Sequence, residues 1–418
     1  MRLLFIFLFF IFHSLQAQEI LPGAYQTQEY FPLLKNKKVA VFANHTTTIN
    51  KTHLVDTLLQ SDINVVKIFA PEHGFRGKED AGKKIFNEVD ELTKIPIISL
   101  YGKKMKPSNE ELNDVDVMIF DIQDVGVRFY TFISSLQYFI EAAIENDKPL
   151  IILDRPNPNG FYIDGPVLEN DYISFVGMQP IPIVYGMTIG EYASMLIGEK
   201  WLAWKNIKKI DNRISLGEFL GFENEDNNFS LTVIECENYT HKSKYILPIA
   251  PSPNLPNMQS VYWYPSTCLF EGTVISEGRG TDYPFCVFGH PNFSKNLFSF
   301  IPKSKLGATN PKFKNENCYG WNVFNKDVFK TLKSLNNQLQ INYLLEAYKL
   351  FENKNDFFIK PKSELETDYF FNKLAGSNKL MQQLQQNKTV EEIRKSWQEK
   401  LIVFKKIRKK YLLYKDFE

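Results

Sequence analysis

The sequence predicts an α/β fold: a Rossmann-like N-terminal domain with a parallel sheet, followed by a second α+β domain. Three observations carry this reading. Apolar runs of strand length alternate with helix-like stretches between Lys38 and Leu153, as in successive βαβ units. Each run ends in a polar loop, and open parallel sheets bind ligands beyond the carboxyl ends of their strands. Past Gly165-Pro166 the alternation stops, and sequence rich in proline and punctuated by glycine takes over.

The chain opens with an export signal. Met1-Arg2 supplies positive charge, Leu3 to Phe12 is unbroken apolar sequence, and Ser14 to Ala17 leads to a cleavage before Gln18. That run is shorter than the roughly 20 residues a membrane-spanning helix needs. The mature chain is therefore expected in the periplasm or outside the cell, without stable membrane insertion. Removing residues 1–17 leaves enough chain for two domains, expected at 18–165 and 166–418.

In the first domain, Lys38 to Ala43 reads as a strand that ends at Asn44-His45-Thr46, and Leu54 to Leu59 as a short helix. Asn64 to Ala70 is a second strand, running into Pro71-Glu72-His73-Gly74-Phe75-Arg76-Gly77. Ile95 to Leu100 is a third, closed by Tyr101-Gly102. Asp116 to Phe120 is the fourth, within VDVMIFDIQDVGVRFYT (Val115 to Thr131). Here Asp121, Gln123, Asp124 and Arg128 crowd a turn at Gly126, ahead of a helix-like segment from Phe129 to Ala143. Pro149 to Leu153 is the fifth strand, ending at Asp154-Arg155-Pro156-Asn157-Pro158. Parallel strands would bring Asn44, Glu72, Asp121 and Asp154 to one edge. The structural alternative is that Asp121 and Asp124 cap the helix and pair with Arg128.

In the second half, Ile181 to Tyr185 is a candidate strand, and Thr188 with Glu191 forms a capping box before an amphipathic helix. Asp211 to Asn228 is acidic and loop-rich, and LPIAPSPNLPNM is an extended connector. YPSTCLFEGTVISEGR places Glu271, Glu277 and Arg279 among glycines. Thr389 and Glu392 cap a last helix with Ile393, Trp397, Leu401 and Phe404 on one face, and the basic run Lys405 to Lys410 is expected to be solvated.

Composition narrows the function. With 49 basic and 48 acidic residues the chain lacks the basic excess of a nucleic-acid binder. The first strand is not followed by G-x-G-x-x-G, so no dinucleotide is expected. The six histidines show no H-x-x-x-H spacing, and Cys236, Cys268, Cys286 and Cys318 are too far apart for a zinc motif. No cofactor or metal is expected, and the cysteines are expected as buried free thiols. Arginine is scarce, eight in all, and Arg76, Arg128, Arg155 and Arg279 sit in the polar loops just named. A guanidinium gives a bidentate fork to a carboxylate that lysine cannot. The bias suggests internal pairing, an anionic substrate group, or both.

PEHGFRG, DIQDVGVRFYT, DRPNP, GPV, the PSPN-P segment, YPSTCLFEGT, SEGRGT and the terminal W-x3-L-x2-F…YLLY follow one another in an order that resembles the exo-β-N-acetylmuramidases of the NamZ type. The resemblance runs from about Lys37 to Tyr414. It implies a cleft between the two domains and removal of N-acetylmuramic acid from non-reducing ends of peptidoglycan glycans or muropeptides. Asn44-His45 departs from the pattern, which has proline after the asparagine, and Lys303 to Asn317 matches poorly and carries no specificity signal.

Glycoside hydrolysis needs a general acid for the leaving oxygen and a second group at the anomeric carbon. Glu72, beyond a strand end and beside His73, is the first candidate for the acid; its structural alternative is an ion pair with Arg76. Glu277 is the second catalytic candidate, with pairing to Arg279 as the alternative. Asn44, His73, Arg76, Asp121, Gln123, Arg128, Asp154, Asn157 and Arg279 are the candidate substrate-binding residues. Muramic acid carries a lactyl carboxylate that N-acetylglucosamine lacks, and Arg279, then Arg128, are the expected readers of it. The substrate's own acetamido oxygen is an alternative nucleophile. A periplasmic sugar-binding protein without catalysis is the competing reading.

Overall fold

The computed structural model describes residues 18–71, 75, 88–202 and 229–418. A short helix, α1 (Thr27–Leu34), leads into β1 (Lys38–Ala43), and a two-stranded hairpin, β2 (Thr48–Ile49) and β3 (Thr52–His53), feeds α2 (Leu54–Gln60). There follow β4 (Asn64–Ala70), β5 (Glu88–Val89), β6 (Pro96–Ser99), α3 (Asn109–Leu112), β7 (Val117–Asp121), α4 (Phe132–Glu145), β8 (Leu150–Leu153), α5 (Ile189–Gly198) and β9 (Leu231–Ile234). The central sheet has the order β5-β6-β4-β1-β7-β8-β9. All its pairings are parallel except that of β5 with β6.

Burial explains the parallel arrangement. Every residue of β7 and β8 is buried, as befits strands covered on both faces. The two-residue period sorts β1 cleanly. Ala40 and Phe42 join the core under α4, where Phe42 stacks on Phe120 at 4.6 Å and meets Phe139 edge-on at 5.2 Å. Val39, Val41 and Ala43 face Leu54, Val55 and Leu58 of α2 on the other side.

The five strands expected in the first domain all form, within a residue at each end. The sheet then takes its last strand from 231–234, past the expected division at 165. Ile181 to Tyr185 is not a strand. Pro180 and Pro182 have no N–H to give a ladder, and Val184 makes only isolated bridges, to Val127 and Asp164. The capping box of Thr188 and Glu191 is present at the start of α5. The acidic stretch Asp211 to Asn228 lies outside the described residues.

The second half begins with α6 (Met258–Thr267), followed by one 3-10 turn (Cys268–Gly272). A small antiparallel sheet follows, order β10-β12-β11, from β10 (Val287–His290), β11 (Phe298–Phe300) and β12 (Cys318–Asn322). Six helices complete the chain: α7 (Val328–Leu335), α8 (Asn342–Leu350), α9 (Phe370–Ala375), α10 (Lys379–Gln385), α11 (Val390–Lys395) and α12 (Gln398–Arg408). The expected last helix is thus broken at Trp397, yet Ile393, Trp397, Leu401 and Phe404 are all buried. The basic run after it is not uniformly solvated. Arg408 is fully buried, bound by Gly186 O and both oxygens of Asp416.

The four cysteines are buried free thiols. Among the described residues no helix is long and apolar enough to cross a membrane.

Candidate active site

Parallel strands put Asn44, Asp121 and Asp154 at one edge, with Ala43 paired to Asp121 in register. Most of that edge is occupied in holding itself together. Arg155 donates from Nε and Nη2 to Asp121 at 2.5 and 2.8 Å, a buried fork. Burial opposes the charge on Arg155, but Asp121 outweighs it and holds the guanidinium pKa above its ordinary value. Asn44 Oδ1 accepts from the backbone N and the hydroxyl of Thr46, whose hydroxyl oxygen accepts from Gln123 N. The Gln123 amide donates to Asp124 O and Pro156 O. Asn44 Nδ2 is buried without a hydrogen-bond partner among the described residues.

Asp154 lies inside the protein, where it accepts from Gly190 N at the start of α5 and from Tyr414 OH. Burial pushes its carboxyl up to about 7, against the pull of bonds from Thr188, Tyr414 and Gly190. Asp124 is also buried. It takes Tyr185 OH and Gly126 N, and desolvation raises it to about 6. Asn157 packs against Gly126 and donates to Met187 O. These contacts give Asp154 and Asn157 structural duties.

Arg128 is the clearest departure from expectation. It pairs with neither Asp121 nor Asp124 and is not among the residues lining the cavity described below. Its guanidinium is wholly buried and donates to Pro166 O, Ile181 O and Leu374 O at 2.7–2.9 Å. Burial lowers its pKa to about 9, which still leaves it charged at neutral pH. These bonds tie three distant segments together. Glu72, His73 and Arg76 lie outside the described residues. Pro71 follows the end of β4, and Phe75 is buried with its ring 4.7 Å from that of His53.

Among the described residues, a cavity opens where the sheet meets the second half of the chain. It measures about 310 Å³ and is walled by Tyr101, by Phe129 to Phe132 ahead of α4, by Phe175 and by Ser252, Asn254 and Leu255. From the other half come Tyr264, Phe285, Phe370, Glu271 and Arg279. Its volume is at the lower end of small-ligand sites, about 300 to 1,000 Å³. The aromatic walls offer flat apolar faces for a sugar ring. Among the described residues, the charged side chains lining it are Glu271 and Arg279, joined by Nε and Nη2 to Oε1 at 3.1 and 2.6 Å.

Arg279 reaches the wall because its flanking glycines turn the backbone sharply. Gly278 and Gly280 have φ of +82° and +80°, and a Cβ on them would meet Val287 O at 2.2 Å and Lys303 O at 2.4 Å. Burial works against the charge of Arg279, but Glu271 and Glu277 hold its pKa above the usual value. Glu277 sits behind it, 3% exposed, with Oε1 at 3.7 Å from Arg279 Nε. Lys312 Nζ lies 3.0 Å from Glu277 Oε2 as an ion pair, and among the described residues no hydrogen bond is made to that oxygen. Sequence reasoning missed Glu271 and Lys312 as site residues. Glu271 stands in the same glycine-marked segment as Arg279 and could have been found as its partner. Lys312 gave no local signal.

The chain matches the family model described as exo-β-N-acetylmuramidase NamZ, N-terminal, over residues 39–259, and that described as C-terminal over 262–414. It is 36% identical over 408 residues to the peptidoglycan β-N-acetylmuramidase NamZ of Bacillus subtilis (strain 168), covering 92% of this chain and 89% of that protein. Two crystal structures of DUF1343 family proteins from Bacteroides fragilis NCTC 9343 share its fold. One has a TM-score of 0.81 and 43% identity, covering 96% of this chain and 100% of that one. The other has a TM-score of 0.76 and 29% identity, covering 95% and 99%. With both halves matched in order, the chain belongs to the exo-β-N-acetylmuramidase NamZ family.

Proposed function

We propose that this protein is an exo-acting glycosidase that releases N-acetylmuramic acid from non-reducing ends of peptidoglycan fragments, with the 310 Å³ cavity as the sugar site. The observation that carries this is the Glu271–Arg279 pair set in an aromatic pocket beyond the carboxyl edge of the sheet, in a chain of this family. Glu72, two residues past the end of β4, donates the proton to the leaving oxygen. Glu277 is the second carboxylate, buried behind Arg279 with Oε1 3.7 Å from Arg279 Nε and Oε2 3.0 Å from Lys312 Nζ. Arg279 reads the lactyl carboxylate with the edge of its guanidinium that Glu271 leaves open. The signal-like segment at residues 1–17 supports export, which would bring the enzyme to its polymer.

The test is release of the leaving group from a chromogenic N-acetylmuramic acid glycoside, with thermal unfolding recorded on the same samples. Wild type turns over, with or without chelator. Glu72→Gln keeps its melting temperature and loses about two to four orders of magnitude in kcat, as removal of a general acid does. Binding of the sugar without turnover in wild type would favour a sugar-binding protein. Near-normal kcat in folded Glu72→Gln would move the acid elsewhere.

A further inference from the structure

The loop between β11 and β12 shows no sequence feature that suggests a role, yet it supports the charged side of the cavity at three points. Lys303 N donates to Gly280 O at 2.9 Å. The Pro311 ring lies 2.7 Å from where a Cβ on Gly280 would sit. Beside it, Lys312 reaches inward and donates to the carbonyls of Phe270, Thr273 and Ile275 at 2.9, 2.8 and 3.1 Å, with Glu271 O at 3.3 Å. Those carbonyls belong to the segment that carries Glu271. The same ammonium stands 3.0 Å from Glu277 Oε2.

This is an unusual use of a lysine. Lysine side chains are normally solvated, and fixing one costs rotamer entropy. Here the ammonium is instead surrounded by oxygens of a single segment. Without it, several carbonyls that converge on one point would repel one another, and the turn between Phe270 and Ile275 would keep only its own hydrogen bonds, such as Thr273 N to Phe270 O, and its backbone ties to residues 357–359. Glu271 orients Arg279 through two contacts to one oxygen, so a shift of the turn moves the guanidinium as well.

We propose that Lys312 is a positioning residue for substrate selection: it fixes the 270–277 segment so that Glu271 and Glu277 hold Arg279 at the angle needed to meet the lactyl carboxylate. This rests on the reading of Arg279 given above. Lys312 touches no substrate; it acts through the backbone and through two carboxylates. The loop that carries it thereby links the β11–β12 edge of the small sheet to the choice between muramic acid and N-acetylglucosamine.

The experiment compares kcat/KM on matched chromogenic glycosides of N-acetylmuramic acid and N-acetylglucosamine, each pair measured on one enzyme preparation. The ratio of the two is independent of how much protein is folded, so a loss of stability alone leaves it unchanged. Arg279→Lys lowers the ratio about tenfold or more, the scale of a lost charge-assisted contact. Lys312→Met lowers it by at least about fivefold, mainly through KM for the muramic acid substrate, and Lys312→Arg recovers most of it. The double variant Arg279→Lys/Lys312→Met falls no further than Arg279→Lys alone, because the two act in series. Should Lys312→Met not fold, Lys312→Gln is read by the same ratio. A wild-type ratio in folded Lys312→Met or Lys312→Gln, with the ratio lowered in Arg279→Lys, overturns the role of Lys312 alone. A wild-type ratio in Arg279→Lys overturns the reading on which it rests.

Discussion

At the scale of single residues, the arginines show what a sequence can and cannot say. Their scarcity pointed to the residues that do special work, and Arg155, Arg279 and Arg128 are each committed to specific partners. It did not say which of them face a ligand, because that depends on acceptors brought from distant parts of the chain. Arg128 takes its carbonyls from residues 166, 181 and 374. Its replacement by methionine strips all three and is expected to destabilise the protein by more than about 3 kcal/mol, since each hydrogen bond to a charged group contributes about 1.5 to 3. Thermal unfolding checks this, and the substrate ratio of the remaining folded enzyme should stay that of wild type. A second residue-scale prediction concerns Asp154. Burial holds its folded carboxyl at about 7, whereas the unfolded chain releases that proton near pH 4. The folded state keeps a proton that the unfolded state has lost. The stabilisation is therefore fully present below about pH 4 and disappears as the pH rises through about 7. The melting temperature should fall between pH 5 and 7.5 in wild type, with Asp124, raised to about 6, adding in the same direction. Asp154→Asn should show a smaller fall over that range.

Among the secondary-structure elements, the parallel strands were the most legible. Near-continuous apolar runs closed by polar loops mark them, and β1 and β4 have the expected bounds. The failures have physical causes. Phe129 to Thr131 are apolar enough to read as helix, but they form part of the cavity wall and α4 begins only at Phe132. Ile181 to Tyr185 has strand composition, yet its prolines and the claims of Arg128 on its carbonyls remove it from any ladder. The capping box on α5 was readable because it is local. Thr188→Ala should cost about 1 kcal/mol, as loss of an N-cap usually does, with a matching fall in melting temperature. The loop of Lys312 could not be read at all, because its contacts are with residues 37 to 42 positions away.

On the scale of the whole molecule, the two halves share one large core, which runs from Ala40 and Phe42 of the sheet to Trp397 and Phe404 near the end of the chain. The C-terminal residues return to the first half. Leu413 N donates to Glu191 Oε1, which also faces His241 Nε2 at 3.0 Å, and Tyr414 OH donates to Asp154 while accepting from Cys236 N. The YLLY ending, legible only as a family motif, is thus a clasp on the sheet and α5. Tyr414→Phe should destabilise the protein by about 1 to 3 kcal/mol in thermal unfolding, through a buried acceptor and a buried N–H left without partners. If it melts like wild type, the clasp carries little of the stability. What this architecture is for is tested most directly by following the products released from glycan chains of defined ends. Chains ending in N-acetylmuramic acid at the non-reducing end should release that monosaccharide as the first small product, and chains capped there by N-acetylglucosamine should release none. Early appearance of internal oligosaccharides, or equal release from both kinds of chain, would contradict a cavity built to hold one terminal muramic acid.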